Sequence, residues 1–199
     1  MAVERLRSSD THTRATDASN AEFGTFGVLI NGESITTDNP IEVRSPFNNS
    51  LVAVVNLAGP DLVEKAIQTA HEAFQITRKV PSWKRTEVLE KVSEGIKANR
   101  ETGKPIQSSR AEVDRAVFTF KIASEEARRI YGEIVPLDWL PGNENRIAHI
   151  RRVPRGPVIG ITPFNYPLNL VAHKVAPAIA AGNPIIVRPA TQTPVSSFL

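Results

Sequence analysis

Pro157-Val158-Ile159-Gly160-Ile161-Thr162-Pro163-Phe164-Asn165-Tyr166-Pro167 opens the stretch that decides the fold, and residues 168–190 complete it. Residues 157–161 form an unbroken apolar run of strand length, the composition of a parallel strand covered on both faces. Residues 162–167 neither continue that strand nor sit within a helix, because Pro163 and Pro167 lack backbone donors and restrict the residues before them. Residues 168–181 read as a helix that is apolar on most sides and therefore buried, with Pro177 inside it predicting a kink. Gly182-Asn183 ends the helix, Pro184-Ile185-Ile186-Val187 reads as a second buried strand, and Arg188-Pro189-Ala190 terminates it.

A strand–helix–strand unit of this kind has a right-handed crossover and two parallel strands. Ligands of open parallel sheets bind outside the carboxyl ends of the strands. Two segments fall there, 162–165 after the first strand and 188–191 after the second, so topology nominates Asn165 and Arg188 as site residues. The first turn carries no G-x-G-x-x-G, so a dinucleotide's pyrophosphate is not expected on this helix N-terminus in the usual Rossmann manner.

Working upstream, 133–153 is a change of character. Pro136, Pro141, Gly142 and Asn143 punctuate two extended stretches, 133–137 and 146–153, which predict an arm or ribbon. Before it, Val113, Ala116, Phe120, Ala123, Ala127 and Ile130 recur at helical spacing, with Gly132 as the stop signal. A second helix is expected to open at Ser82 with Val88, Leu89, Val92 and Ile96 inward, and a first at Gly59-Pro60-Asp61 with Val63, Ala66, Ile67, Ala70 and Phe74 as its apolar stripe. Residues 51–57 and 41–46 read as strands, and Val28-Leu29-Ile30 followed by Asn31-Gly32 reads as a strand entering a tight turn. Order is expected to begin near Phe26; residues 1–22, rich in Ser, Thr, Asp, Asn and Arg, read as a disordered tail.

Composition narrows the function classes. The excess of 24 basic over 21 acidic side chains, a net charge of +3, is too small for a nucleic-acid footprint. The chain has no cysteine, which removes disulfides, zinc thiolates and any cysteine nucleophile from these residues. No apolar run approaches the about 18 residues of a membrane helix, and the N-terminus lacks a secretory signal's apolar stretch, so a cytoplasmic location is expected. No metal site is expected. His173 and Lys174 read as helix-surface or packing groups.

The sequence resembles the aldehyde dehydrogenase superfamily. The likeness runs ungapped through Gly156-Pro157-Val158-Ile159-Gly160-Ile161-Thr162-Pro163-Phe164-Asn165-Tyr166-Pro167-Leu168, His173-Lys174-Val175-Ala176-Pro177-Ala178-Ile179-Ala180-Ala181-Gly182-Asn183 and Val187-Arg188-Pro189-Ala190. Upstream, Leu29-Ile30-Asn31-Gly32-Glu33, Thr102-Gly103-Lys104-Pro105 and Glu112-Val113-Asp114-Arg115-Ala116 are also similar, so the resemblance covers about residues 27–199. It implies an α/β fold: the N-terminal part of an aldehyde dehydrogenase-like fold, with a parallel strand–helix–strand cofactor unit plus helices and a β-ribbon arm. The implied organisation is strands and helices of the cofactor-binding domain over 23–132, an oligomerisation-type arm over 133–153, and the start of a Rossmann-like NAD(P)-binding unit over 154–199.

In that family a cysteine thiolate adds to an aldehyde, hydride passes to NAD(P)+ and water releases the carboxylic acid. Asn165 matches the asparagine that donates its side-chain amide to the developing oxyanion, a role suited to a neutral donor held between two prolines. Ile161, Thr162, Pro163 and Phe164 match the nicotinamide side of the cofactor cleft, Arg188 the position that contacts the adenosine ribose, and Pro189, Ala190 and Thr191 are further cofactor-binding candidates beside it. Arg188 stands where the family usually has lysine. Its planar fork suits a 2′-phosphate, which leaves NAD and NADP both open.

The nucleophilic cysteine, general-base glutamate and glycine-rich cofactor turn lie downstream in the family, so the segment is expected to be inactive alone. Where Asn99-Arg100-Glu101 runs straight into Thr102-Gly103, family members carry additional residues with a further helical stretch. The implied partners are a small-molecule aldehyde and a family-type homo-oligomer through 133–153, with no nucleic acid and no membrane. A non-catalytic interaction module, pairing with full-length relatives through that arm, is the alternative, and an acylating reductase on the same scaffold is a third.

Overall fold

The computed structural model describes residues 21–99 and 107–198. These form two compact units, 21–29 with 34–57, and 30–33 with 58–198. The expected loose tail falls almost wholly outside the described residues, as does the abrupt junction that follows Asn99.

In the first unit β5 (Leu51–Asn56) is the central strand. Its β-branched run suits a pleated surface, and Ala53, Val54 and Val55 are buried. β1 (Thr25–Phe26) lies parallel to it, and β4 (Pro40–Arg44) lies antiparallel with a register shift between Val43 and Arg44. Asn56 is buried at the end of β5 and satisfied there. Its amide donates to Phe26 O at 3.0 Å, and its Oδ1 accepts from Thr37 N at 2.9 Å. β2 (Val28–Ile30) and β3 (Glu33–Ile35) form the hairpin that Asn31-Gly32 predicts. Both turn residues have positive φ, 52° and 82°, the requirement of a type I′ turn.

The second unit opens with α1 (Pro60–Thr77), whose Pro60 and Asp61 occupy its first turn. α2 (Ser82–Asn99), α3 (Gln107–Glu126) and α4 (Pro167–Ala180) then pack around one core. That core is Leu89 of α2, Ala116, Phe120 and Ala123 of α3, Ala127 just beyond it, and Ala172, Ala176 and Ala180 of α4. The core positions 116, 120, 123 and 127, and 172, 176 and 180, recur every three or four residues, which turns one face of each helix to its neighbour, and the alanines among them let the axes approach closely. Two side chains also bond across the α2–α3 seam. Thr86 Oγ1 donates to Ser124 O at 3.0 Å and Ser93 Oγ to Val117 O at 3.2 Å.

β6 (Glu133–Pro136) and β7 (Ile147–Ile150) form the expected antiparallel ribbon. β8 (Val158–Ile161) and β9 (Ile185–Arg188) pair in parallel on either side of α4 in sequence, completing the strand–helix–strand unit. The fold is therefore α/β as expected.

Four sequence expectations need correction. Val63, Val88 and Ile130 belong to the apolar stripes but are exposed. α3 ends at Glu126, earlier than its stripe suggests, because Arg128 N and Arg129 N bond tightly back to Glu125 O and Glu126 O. Gly132 is consequently not the helix stop. Its Cβ position is filled by Ile150 O of the ribbon, so it is glycine for lack of room. The apolar run of β8 suits cover on both faces, and within this chain that cover is partial: Val158, Ile159 and Ile161 are 37%, 61% and 60% exposed, and Gly160 is buried. α4 packs against β8 and is itself only partly buried, with His173, Lys174 and Pro177 exposed.

Candidate active site

The register of the parallel pair sets the site. Ile161 pairs with Arg188, and Thr162 N donates to Arg188 O at 3.1 Å, so both strands end at the same level. The segments 162–165 and 188–191 therefore leave one sheet edge side by side. Gly160 permits the close approach beneath it. A Cβ there would lie 3.0 Å from Lys174 Cβ and 3.2 Å from Ile185 Cδ1.

At that edge Thr162 is buried, whereas Ile161, Pro163, Phe164, Asn165 and Tyr166 are exposed. Pro189 and Ala190 are half-buried, and Arg188 and Thr191 are exposed. Arg188 makes no ion pair among the described residues. The edge thus combines an apolar platform, Ile161 and Phe164, with an amide donor and a cation. That set fits a dinucleotide, whose rings need apolar cover and whose phosphates need positive charge.

The turn between β8 and α4 is held from outside. The N-cap residue Tyr166 supplies no side-chain cap, and Pro167 at the first helical position has no N–H. Leu170 N donates to Tyr166 O at 2.9 Å within the helix. The first-turn donors left over are Leu168 N and Asn169 N, and Glu112 Oε1 of α3 accepts from both, at 2.8 and 3.1 Å. The Arg115 guanidinium, one turn further along α3, lies 5.9 Å from the centre of the Tyr166 ring. This arrangement agrees with the missing glycine fingerprint, since a carboxylate occupies the helix N-terminus where a Rossmann turn would hold phosphate. Sequence reasoning gave Glu112 and Arg115 no role, although both lie in a stretch quoted for the family likeness.

The far end of α4 is equally tied. Gly182, at φ 77°, follows the C-cap Ala181. Gly182 N donates to Ile179 O and Asn183 N to Ala178 O, both at 2.9 Å, the two bonds of a Schellman motif. Asn183 Oδ1 in turn accepts from Gly156 N at 3.0 Å and fixes the entry to β8. A cavity of about 250 Å³ lies at this C-terminal end, away from the sheet edge. Arg85 lines it, with its pKa lowered by burial, and Arg85 Nε and Thr77 Oγ1 are buried without a hydrogen bond. Apart from Thr77, Arg85 and Asn183 its lining is apolar or glycine, so the sheet edge is the better candidate for chemistry. Among the described residues no cluster of His, Asp or Glu could hold a metal ion, and no helix is long and apolar enough to cross a membrane.

The model of the aldehyde dehydrogenase family matches residues 33–199. The chain is 41% identical over 182 residues to the 3-sulfolactaldehyde dehydrogenase of Priestia aryabhattai, covering 87% of this chain and 38% of that protein. Among solved structures it superposes on aldehyde dehydrogenase 21 from Physcomitrella patens, in complex with the reaction product succinate. The TM-score there is 0.82 at 37% identity, over 87% of this chain and 38% of the other. It superposes likewise on an NADP-dependent glyceraldehyde-3-phosphate dehydrogenase from Bacillus halodurans C-125 complexed with NADP, with TM-score 0.81 and 31% identity over 86% and 39% of the two chains. The fold is thus that of a known class of oxidoreductases. The chain belongs to the aldehyde dehydrogenase family. It spans 38% of the length of the first two of these relatives, and its fold matches part of theirs.

Proposed function

We propose that this chain forms the β8–β9 edge of an NAD(P)-dependent aldehyde dehydrogenase that oxidises an aldehyde to a carboxylic acid. The observation that carries this reading is the pairing of Ile161 with Arg188, which sets the Asn165 turn and the Arg188 segment side by side. Asn165 is the oxyanion donor. Its exposed amide, on a turn bracketed by Pro163 and Pro167, is preorganised toward charge that develops only in the transition state. Ile161, Thr162, Pro163 and Phe164 form the nicotinamide side of the cofactor cleft. Arg188, Pro189, Ala190 and Thr191 form the adenosine side, with the Arg188 fork suited to a 2′-phosphate. When bound, NAD(P)+ supplies the hydride acceptor.

The thiolate of this chemistry must come from sequence other than these residues, which contain no cysteine. The ribbon 133–153 is the association arm with a second copy, supported by its exposed Ile134, Trp139, Leu140, Ile147 and Val153. The test is cofactor reduction by the complete enzyme carrying this segment, across a panel of aldehydes with NAD+ and NADP+. Aldehyde-dependent reduction that collapses on Asn165→Ala supports the reading. A complete enzyme that reduces neither cofactor with any aldehyde overturns it.

A further inference from the structure

Glu112 lies on α3, far from the sheet edge in sequence, yet its carboxylate is bonded to the first turn of α4, which directly follows the turn that carries Asn165. We propose that Glu112 is a positioning residue: it caps α4 from outside and so fixes the orientation in which Asn165 presents its amide. This rests on the oxyanion role proposed for Asn165.

Three observations and one physical rule converge. α4 has no cap of its own, because the Tyr166 side chain makes no capping hydrogen bond and Pro167 has no N–H. One oxygen of Glu112 accepts from both leftover donors, Leu168 N and Asn169 N. An ionised carboxylate at the positive end of a helix makes a stronger bond than a neutral cap. Finally, the same helix sends Arg115 over the Tyr166 ring, so the residue immediately after Asn165 is restrained from the same direction. Without Glu112 the Leu170 N–Tyr166 O bond would remain, but the Leu168 and Asn169 amides would lose their acceptor and the start of α4, which carries the 162–166 turn, would be held less firmly. The amide would then sample orientations in which it does not meet the developing charge, and misplacement on the ångström scale is enough to slow a reaction greatly.

The experiment is a double-mutant cycle in the complete enzyme, with Asn165→Ala, Glu112→Ala and the pair, joined by Glu112→Gln and Glu112→Asp. Glu112→Ala is expected to lower kcat by roughly 10- to 100-fold with cofactor KM little changed. The glutamine oxygen can still accept, so Glu112→Gln should recover kcat to within about threefold of wild type. In the Asn165→Ala background, Glu112→Ala should cost less than about twofold, because the group it positions is gone. Amide hydrogen exchange at Leu168 and Asn169 should be faster in Glu112→Ala than in wild type, with Glu112→Gln between them. If the alanine variant does not fold, Glu112→Asp, which keeps the charge and shortens the reach, carries the same comparisons.

Losses that simply add in the double variant overturn the proposal, as does unchanged kcat in folded Glu112→Ala alongside faster exchange at 168 and 169. A harmless Asn165→Ala would instead remove the oxyanion reading. Unchanged exchange at 168 and 169 in Glu112→Ala or Glu112→Asp would then overturn the cap itself.

Discussion

Asn165 reaches the sheet edge on a turn that two prolines stiffen and a distant carboxylate anchors. In the oxyanion role proposed for it, this neutral amide would contribute little to binding a neutral carbonyl and most when charge appears on that oxygen. Asn165→Ala in the complete enzyme should therefore lower kcat by roughly 10²–10³ while changing KM much less. Asn165→Asp should be at least as damaging, since it sets a negative group beside a forming oxyanion. Steady-state kinetics with a cofactor titration measure both; kcat retained within about twofold, or a loss confined to cofactor KM, would return Asn165 to a turn residue. The adenosine-side role proposed for Arg188 is tested separately. Replacing it with lysine keeps the charge but loses the planar fork. The NADP+ to NAD+ ratio of kcat/KM should fall by about 5- to 10-fold. An unchanged ratio would place the 2′-position elsewhere.

At the scale of elements, α2 carries a small electrostatic device on its exposed face. Glu87 accepts from Lys84 and Lys91, and these bonds lower its pKa from 4.5 to about 2. A carboxylate with a depressed folded pKa contributes stability that is present above its unfolded value and lost as pH falls through the folded one. The advantage of wild type over Glu87→Gln should thus shrink between pH 4.5 and about 2, and salt should erase it at neutral pH because the group is exposed. Denaturation midpoints against pH measure it; a difference that grows on acidification would contradict the sign. Packing gives a larger effect. Gly160→Ala forces a Cβ against Lys174 Cβ and Ile185 Cδ1, which should cost about 1–3 kcal/mol in chemical denaturation of the complete enzyme.

Local chemistry announces itself in such elements. Asn31-Gly32, Pro60-Asp61, Gly182-Asn183 and the apolar runs at β8 and β9 each carry their own signal within a few residues, and each element stands where that signal put it. The parallel pairing that brings the 162–165 and 188–191 segments together follows from the same signals. Two kinds of fact were not legible. The cap by Glu112 joins residues 56 apart, and no periodicity marks a helical glutamate as the partner of a remote backbone. Exposure was the other. An apolar stripe reports what a helix can bury, and Val63 and Val88 keep the spacing yet stay exposed.

For the whole molecule, the exposed apolar side chains of β8 and Phe164, together with those of the ribbon, form surface that water disfavours. The 199-residue polypeptide prepared alone should self-associate. A sharp monomeric peak on size exclusion with a cooperative melt would contradict this. The same preparation should reduce neither NAD+ nor NADP+ in the presence of aldehydes, since no thiolate is available to form the covalent adduct; turnover that survives removal of contaminating enzymes would overturn that mechanism.

The two-ended anchoring of α4 has a bearing on recombination between relatives. One end is bonded to Glu112 on α3 and the other, through Asn183, to Gly156 just before β8. A crossover point placed in the ribbon between them would draw α3 from one parent and α4 from the other. Such a hybrid inherits a helix start whose cap comes from a foreign chain, and any parent with a shorter or apolar residue at that place leaves two amides unsatisfied. Junctions upstream of α3, or beyond β9, keep donor and acceptor in one parental block, and libraries cut there should retain far more functional members than those cut within 133–153.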